Sequence, residues 1–182
     1  MALLWTYKGK QIQKVDDVFE VDEALKQKCE GDKYKLYGFI YKVNFPDNKF
    51  YIGKCNFFYL RTLKSRVSKL PRAGHIQYIK RIINHHKVEH EVFKQENEWQ
   101  EYQGSAKFCK EHDALSKEML EITLSKRYLT YLEIKYQFLY NVLEDINAIN
   151  DNISGRFFKG NLDKDEIKDY SHLPMGEHIP GY

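Results

Sequence analysis

Two tyrosine-containing tripeptides carry side chains that could act together on a phosphate ester. They are Phe39-Ile40-Tyr41 and Tyr51-Ile52-Gly53, ten residues apart. Apolar and aromatic residues flank a turn cluster at Pro46-Asp47-Asn48, which predicts a β-hairpin. Such a hairpin would hold the phenols of Tyr41 and Tyr51 on neighbouring strands, near one site.

Hydrolysis of a phosphodiester needs an attacking water, a group that takes its proton, and positive charge beside the phosphate. A tyrosine has a pKa of about 10 and serves as a base only where a nearby cation lowers that pKa. Lys54, three residues after Tyr51, could supply the cation. Arg61 offers a planar guanidinium that binds phosphate oxygens and keeps its charge.

Glu133 lies at the edge of the apolar stripe of a predicted helix, because Leu129, Tyr136 and Gln137 are its neighbours three and four residues away. A carboxylate in that position needs a partner. A Mg²⁺ ion held by one carboxylate and several waters is one such partner. The alternative is a salt bridge to a cation of the same helix, and the candidates are Lys126, Arg127 and Lys135.

These residues, in this order and spacing, resemble the GIY-YIG nuclease family over about residues 37–155. Phe39 stands where the family name has its first glycine, although Gly38 lies one residue earlier. The resemblance implies that Glu133 binds a divalent metal, Mg²⁺ or Mn²⁺. It implies catalytic roles for Tyr41, Tyr51, Lys54, Arg61 and Asn150.

The sequence departs from the family at one position. Many members have a His or Tyr one helical turn after the arginine, where this chain has Ser65. His75 or Tyr102 could compensate, so both are catalytic candidates. A closer likeness is to small phage-associated GIY-YIG proteins, and it rests on Trp99, Tyr102, Gly104 and Ser105.

Positive charge is concentrated between Asn48 and Val88, a stretch with ten Lys and Arg and no Asp or Glu. A block of one sign that contains aromatic residues is typical of a surface that faces a phosphate backbone. The alternative is a solvated helix face. The predicted DNA-binding residues are Lys64, Arg66, Lys69, Arg72, Lys80 and Arg81.

Composition indicates a folded protein, since 42% of the residues are hydrophobic and 15% aromatic. There is no apolar run of membrane-spanning length, and the N-terminal apolar run is too short for a signal peptide. Three cysteines without paired spacing favour a reducing cytoplasm, that of a bacterial host if the gene is carried by a phage or mobile element. The predicted partner is double-stranded DNA, with a monomer in solution and a dimer on DNA left open.

The predicted fold is α+β, with a small three-stranded, mainly antiparallel sheet flanked by helices. Residues 1–36 are interpreted as an appendage with a small N-terminal hairpin, 37–155 as the nuclease-like domain, and 156–182 as a tail. Apolar spacing predicts helices over 56–70, with Arg61 on its flank, and from His75 to Ile83. Strands are predicted over 88–95 and 117–125, a short helix over 106–112, and the longest helix over 126–143.

The function that follows is a divalent-metal-dependent DNA endonuclease, site-specific and able to nick one strand per event. Homing, interference between mobile elements and phage DNA processing are the expected contexts. The alternative is a catalytically inactive nucleic-acid-binding module on the same scaffold. Charge alone leaves an RNA target open.

Overall fold

The computed structural model describes residues 3–62, 75–83 and 86–162, with the side chains of 60–94 outside the description. The strands are β1 (Trp5–Tyr7), β2 (Lys10–Ile12), β3 (Gly38–Asn44), β4 (Phe50–Asn56), β5 (Phe58–Thr62), β6 (His75–Ile83), β7 (His86–Glu96), β8 (Ser116–Thr123), β9 (Asn152–Ile153) and β10 (Phe157–Phe158). The α-helices are α1 (Val15–Val21), α2 (Glu23–Lys28), α3 (Lys107–Glu111) and α4 (Lys126–Leu139). Single 3₁₀ turns cover Lys33–Lys35 and Lys159–Asn161.

The main sheet has five strands in the order β2-β1-β8-β3-β4, so the prediction of three strands was too small. Strands β3, β4 and β8 form the predicted antiparallel part. The N-terminal hairpin forms as predicted, and its strand β1 then pairs parallel to β8. Trp5 and Ile12 are fully buried, which explains why the hairpin joins the sheet.

The turn of the β3–β4 hairpin sets the register of the two tyrosines. Asp47 and Asn48 both have positive φ, 57° and 58°, and the amide of Lys49 donates a hydrogen bond to the carbonyl of Pro46. Two central residues with positive φ suit the twist of a tight hairpin. In the resulting register Tyr41 lies directly opposite Gly53.

Successive side chains of β3 point to opposite faces of the sheet and pack into two separate core clusters. Phe39 and Tyr41 point into one cluster, with Trp5 and Trp99. Ile40 points into the other cluster, under α4. A β-bulge against β8 falls between Ile40 and Tyr41, a feature common beside functional sites.

Helix α4 begins where the sequence predicted and ends four residues earlier. Ser125 caps its N-terminus by accepting a hydrogen bond from the amide of Tyr128. Leu129 and Leu132 are buried against the sheet, as the apolar spacing predicted. The helix stops at Leu139 because Asn141 adopts a positive φ of 47°, which a continuing helix cannot accommodate.

The two predicted helices after β4 were wrong wherever the structure describes their residues. Phe58–Thr62 and His75–Ile83 are strands β5 and β6, which flank β7 in a second, three-stranded antiparallel sheet. Isoleucines three or four apart fit helical spacing, but Ile and Tyr also favour strands. Pairing with β7, itself predicted as a strand, satisfies the backbone of both segments. The remainder of the first helix, 63–70, lies outside the described residues.

Within the described ranges, no helix has both the length and the apolar character needed to cross a membrane.

Candidate active site

Tyr41 and Tyr51 lie side by side over a glycine. Their ring centroids are 6.1 Å apart, at an interplanar angle of 34°. A Cβ atom at Gly53 would lie 2.5 Å from the Tyr41 hydroxyl and 2.8 Å from Cε1 of Tyr51. The close approach of both rings to the backbone therefore requires glycine at position 53.

The two phenols differ in access to solvent. Tyr41 is fully buried, whereas Tyr51 is partly exposed, and its hydroxyl lies 3.2 Å from Oγ of Ser105. Gly104 brings this segment close, because its φ of +131° and the nearby Sγ of Cys109, 2.8 Å from an added Cβ, leave no room for a side chain. Tyr51 is thus the phenol that reaches the surface of the site.

Burial raises the pKa of both tyrosines. The pKa of Tyr41 lies well above its usual range, chiefly because of burial and secondarily because of Tyr102 and Tyr51. Burial also raises the pKa of Tyr51, and the hydrogen bond with Ser105 opposes that increase. Both pKa values are raised, which is opposite in direction to the effect expected of Lys54 on a tyrosine.

Lys54 contacts the carboxylate that the sequence assigned to metal. Its Nζ lies 2.8 Å from Oε2 of Glu133 and donates to Oγ1 of Thr130 at 3.3 Å. Glu133 therefore has a cation as a partner, but the cation comes from β4 and not from its own helix. The ion pair joins α4 to the strand that carries Tyr51.

A cavity of about 280 Å³ lies between Tyr51 and Glu133. Tyr51 and Glu133 both line it. The rest of its wall is mostly polar and consists of Ser105, Ala106, Gln137, Ile149, Asn150, Asp151, Asn152 and Ser154. A polar cavity of this size between a phenol and a carboxylate can admit a phosphate group and water.

Asn150 holds strand β4 at the back of this cavity. Its Oδ1 accepts a hydrogen bond from the amide of Ile52 at 3.0 Å, and its Nδ2 donates to the carbonyl of Ile52 at 2.8 Å. Asn150 is buried, and both ends of its amide are occupied by the backbone. The contacts give it a positioning role next to Tyr51 and Gly53.

Tyr102 lies beside the paired tyrosines, and the structure describes less of the remaining candidates. The Tyr102 ring stands edge-on to Tyr41, with centroids 5.9 Å apart. Arg61 is in β5 opposite Phe93, and His75 is the first residue of β6, but their side chains are outside the described part. The same holds for the side chains of Lys80 and Arg81 in β6, and Lys64, Arg66, Lys69 and Arg72 lie outside the described residues altogether.

The donor set around Glu133 fits a hydrated hard cation. The cavity wall offers carboxylate, amide and hydroxyl oxygens, with Asp151 and Asn152 near Glu133. Among residues 3–62, 75–83 and 86–162, no three His, Cys, Asp or Glu side chains form a ready-made cage. Mg²⁺ commonly binds through one or two carboxylates and retains several waters. Glu133 could hold such an ion once Lys54 moves aside.

Ser105 and Asp151 are two of the cavity residues to which the sequence assigned no role. Ser105, which contacts Tyr51, belongs to the Gly104-Ser105 segment that carried the resemblance. Asp151 directly follows Asn150, and it adds a second carboxylate to the cavity wall. Adjacency to a predicted site residue was the available signal for Asp151.

Comparison with known proteins gives one match. The model of the family described as "Putative endonuclease segE, GIY-YIG domain" matches residues 23–161 of the 182-residue chain. The match begins 14 residues before the predicted start at 37 and ends beyond 155. No curated protein and no solved structure matches the chain.

Proposed function

The chain belongs to the GIY-YIG endonuclease family of the segE type, and we propose that it is a DNA endonuclease that depends on Mg²⁺ or Mn²⁺. Family membership implies nuclease activity in general and a nucleic-acid substrate. The proposal adds the metal, the site of hydrolysis and the roles of individual residues.

One observation carries the proposal: Tyr51 and Glu133 line the same polar cavity, although they are distant in sequence. Tyr41 lies behind Tyr51, and Lys54 bridges to Glu133. Hydrolysis of a phosphodiester needs groups that orient water and groups that offset negative charge, within reach of one phosphate. The polar cavity wall supplies the first kind, and Lys54, which pairs with the wall residue Glu133, supplies the second.

Tyr51 would orient the attacking water. Because its pKa is raised, it remains a neutral phenol that accepts a hydrogen bond from water and donates one to a phosphate oxygen. Ser105, 3.2 Å from the phenol oxygen, helps to fix its direction. Tyr41 is too buried to reach substrate directly and supports the position of the Tyr51 ring.

The positive charges beside the phosphate would come from the side chains of Lys54 and Arg61. Lys54 is already at the cavity edge, where its ammonium group could move from Glu133 to a phosphate oxygen. Glu133, with water and neighbouring oxygens of the wall, would hold the divalent ion. When bound, the ion supplies charge that stabilises the leaving oxygen and activates water.

A single site of this kind cuts one strand per event, so we expect nicking by a monomer unless two copies assemble on DNA. Homing, interference between mobile elements and phage DNA processing are contexts that suit such an enzyme, acting in the cytoplasm of the host. The rival function is an inactive DNA-binding module. The Lys54–Glu133 ion pair favours the inactive module, because a carboxylate that is paired with lysine is not free to bind a metal ion.

Nicking of supercoiled plasmid, with Mg²⁺ or with EDTA, tests the proposal. Glu133→Gln keeps the shape of the side chain and removes its charge. It should slow nicking by about a hundredfold or more, while DNA binding persists. Glu98→Gln changes an exposed glutamate outside the cavity and should nick normally. Wild-type protein that binds DNA and never nicks it would support the inactive module instead.

A further inference from the structure

The solvent side of α4 exposes aromatic rings that the proposed chemistry does not use. Their exposed fractions are 47% for Tyr128, 57% for Tyr131, 48% for Phe138 and 53% for Phe157, which follows α4 in the chain. We call these four residues the aromatic strip. Large aromatic side chains are normally buried, so several exposed rings on and beside one helix indicate a binding surface.

The rings of the strip form two contacting pairs. Tyr128 and Tyr131 are stacked, with centroids 5.7 Å apart and an interplanar angle of 22°. Phe138 and Phe157 meet edge to face at 5.9 Å. The strip therefore offers flat apolar surfaces arranged along one side of a helix.

Three positively charged side chains lie close to the strip residues in the chain. Arg127 and Lys135 are exposed on α4, and Arg156 is exposed directly before Phe157. None of the three forms an ion pair with another residue in the described part of the chain. The only carboxylate of α4, Glu133, is at the cavity and pairs with Lys54.

We propose that the aromatic strip binds unpaired nucleotides of the DNA substrate, with bases stacked on the rings and phosphates beside the cations. Surfaces for single strands combine these two features, whereas a duplex hides the faces of its bases. This inference rests on the proposed function for its substrate. Helix α4 is about 10 Å across, so a few nucleotides could connect the cavity to the strip.

The test measures binding of a fluorescein-labelled oligothymidylate of about 15 nucleotides by anisotropy, with the full chain in EDTA so that no cleavage occurs. The double variant Tyr131→Ala, Phe138→Ala should weaken binding by about tenfold or more, since stacking contributes about 1–3 kcal/mol per base. Tyr131→Phe keeps the ring and should bind like wild type.

A matched control removes exposed apolar side chains elsewhere. Leu115 and Ile146 are 63% and 55% exposed, and Leu115→Ala, Ile146→Ala should leave the affinity unchanged. Equal oligothymidylate affinity in the strip variant and wild type would overturn the proposal. So would a strip variant that converts a dimer to a monomer in sedimentation while its oligothymidylate affinity is unchanged, because the strip would then join two copies.

Plasmid nicking separates this inference from the proposed function. Wild-type nicking together with a strip variant of normal oligothymidylate affinity would overturn the strip alone. Loss of oligothymidylate binding in the strip variant supports the strip even where wild-type protein fails to nick, and in that case the nuclease proposal alone fails.

Discussion

Lys54 and Glu133 form an ion pair at the edge of the cavity, with Nζ and Oε2 2.8 Å apart, although they are far apart in the sequence. The lysine lies on β4 beside the tyrosines, and the glutamate on α4. A divalent ion at Glu133 would compete with the ammonium group for the same oxygens. The ion pair thus sets how readily the carboxylate becomes available.

Removing the ammonium group should tighten metal binding. Lys54→Met keeps the length of the side chain and frees the Glu133 carboxylate. Because a partly exposed ion pair contributes up to about 1 kcal/mol, Mn²⁺ affinity should rise by roughly fivefold at most. Isothermal titration of the DNA-free protein with MnCl₂ measures this change.

Lys126→Met is the control for Lys54→Met, because Lys126 is exposed on α4 and has no ion pair with a described residue. Its Mn²⁺ affinity should equal that of wild type. Unchanged or weaker Mn²⁺ binding by Lys54→Met would mean that the metal does not use Glu133. Nicking by Lys54→Met should fall even as metal binds more tightly, because Lys54 would no longer reach the phosphate.

Replacing Gly53 should displace the paired tyrosine rings. An alanine Cβ would overlap the Tyr41 hydroxyl at 2.5 Å and Cε1 of Tyr51 at 2.8 Å, so one ring must move. We expect Gly53→Ala to cost about 1–3 kcal/mol in the free energy of unfolding and to slow nicking at least tenfold. Urea denaturation and plasmid nicking report the two effects.

Gly160→Ala provides the comparison, because no atom lies within 4 Å of the Cβ that it would add. Stability and nicking should both stay close to wild type. If Gly53→Ala also left stability and nicking unchanged, the tyrosine rings would be free to shift. Their close approach to the backbone would then not be required for function.

Asn150 should act mainly through strand β4. Asn150→Ala leaves the buried amide of Ile52 without its partner and leaves its carbonyl only the 3.5 Å hydrogen bond from Nε2 of Gln137, which should cost about 2 kcal/mol or more. Asn150→Asp can still accept from the Ile52 amide but cannot donate to the carbonyl, so it should also be destabilised. Urea denaturation measures both.

Asn161→Ala, which changes an exposed asparagine outside the cavity, should not alter stability. An Asn150 variant that keeps wild-type stability but no longer nicks DNA would contradict this prediction. It would show that the Asn150 amide acts on the substrate and not on strand β4.

Local signals in the sequence predicted the elements that carry the site. The turn residues Asp47 and Asn48 fixed the hairpin, and regular apolar spacing located α4. The helices predicted over β5 and β6 failed because the spacing of their apolar residues suits both a helix and a strand, and the decision depends on pairing with β7. Local pattern carries no information about that partner.

Long-range contacts explain the other differences. The sequence placed Lys54 next to a tyrosine and assigned Glu133 to a metal, with a cation of its own helix as the alternative partner, whereas the fold brings Lys54 and Glu133 together. The parallel pairing of β1 with β8 joins residues more than a hundred positions apart, so no local pattern could show the five-stranded sheet.

The buried phenol of Tyr41 should make stability sensitive to alkaline pH. An unfolded tyrosine ionises near pH 10, whereas burial holds the pKa of Tyr41 well above that value. Its contribution to stability is therefore complete below about pH 10 and lost as pH rises through the folded-state pKa.

Tyr41→Phe should reduce the decline of the unfolding free energy above pH 10, measured by urea denaturation at stepped pH. Cys55 and Tyr136, with pKa values raised to about 12, should keep part of the decline. The control Tyr128→Phe changes an exposed phenol and should keep the wild-type slope, and a wild-type slope for Tyr41→Phe would contradict the argument.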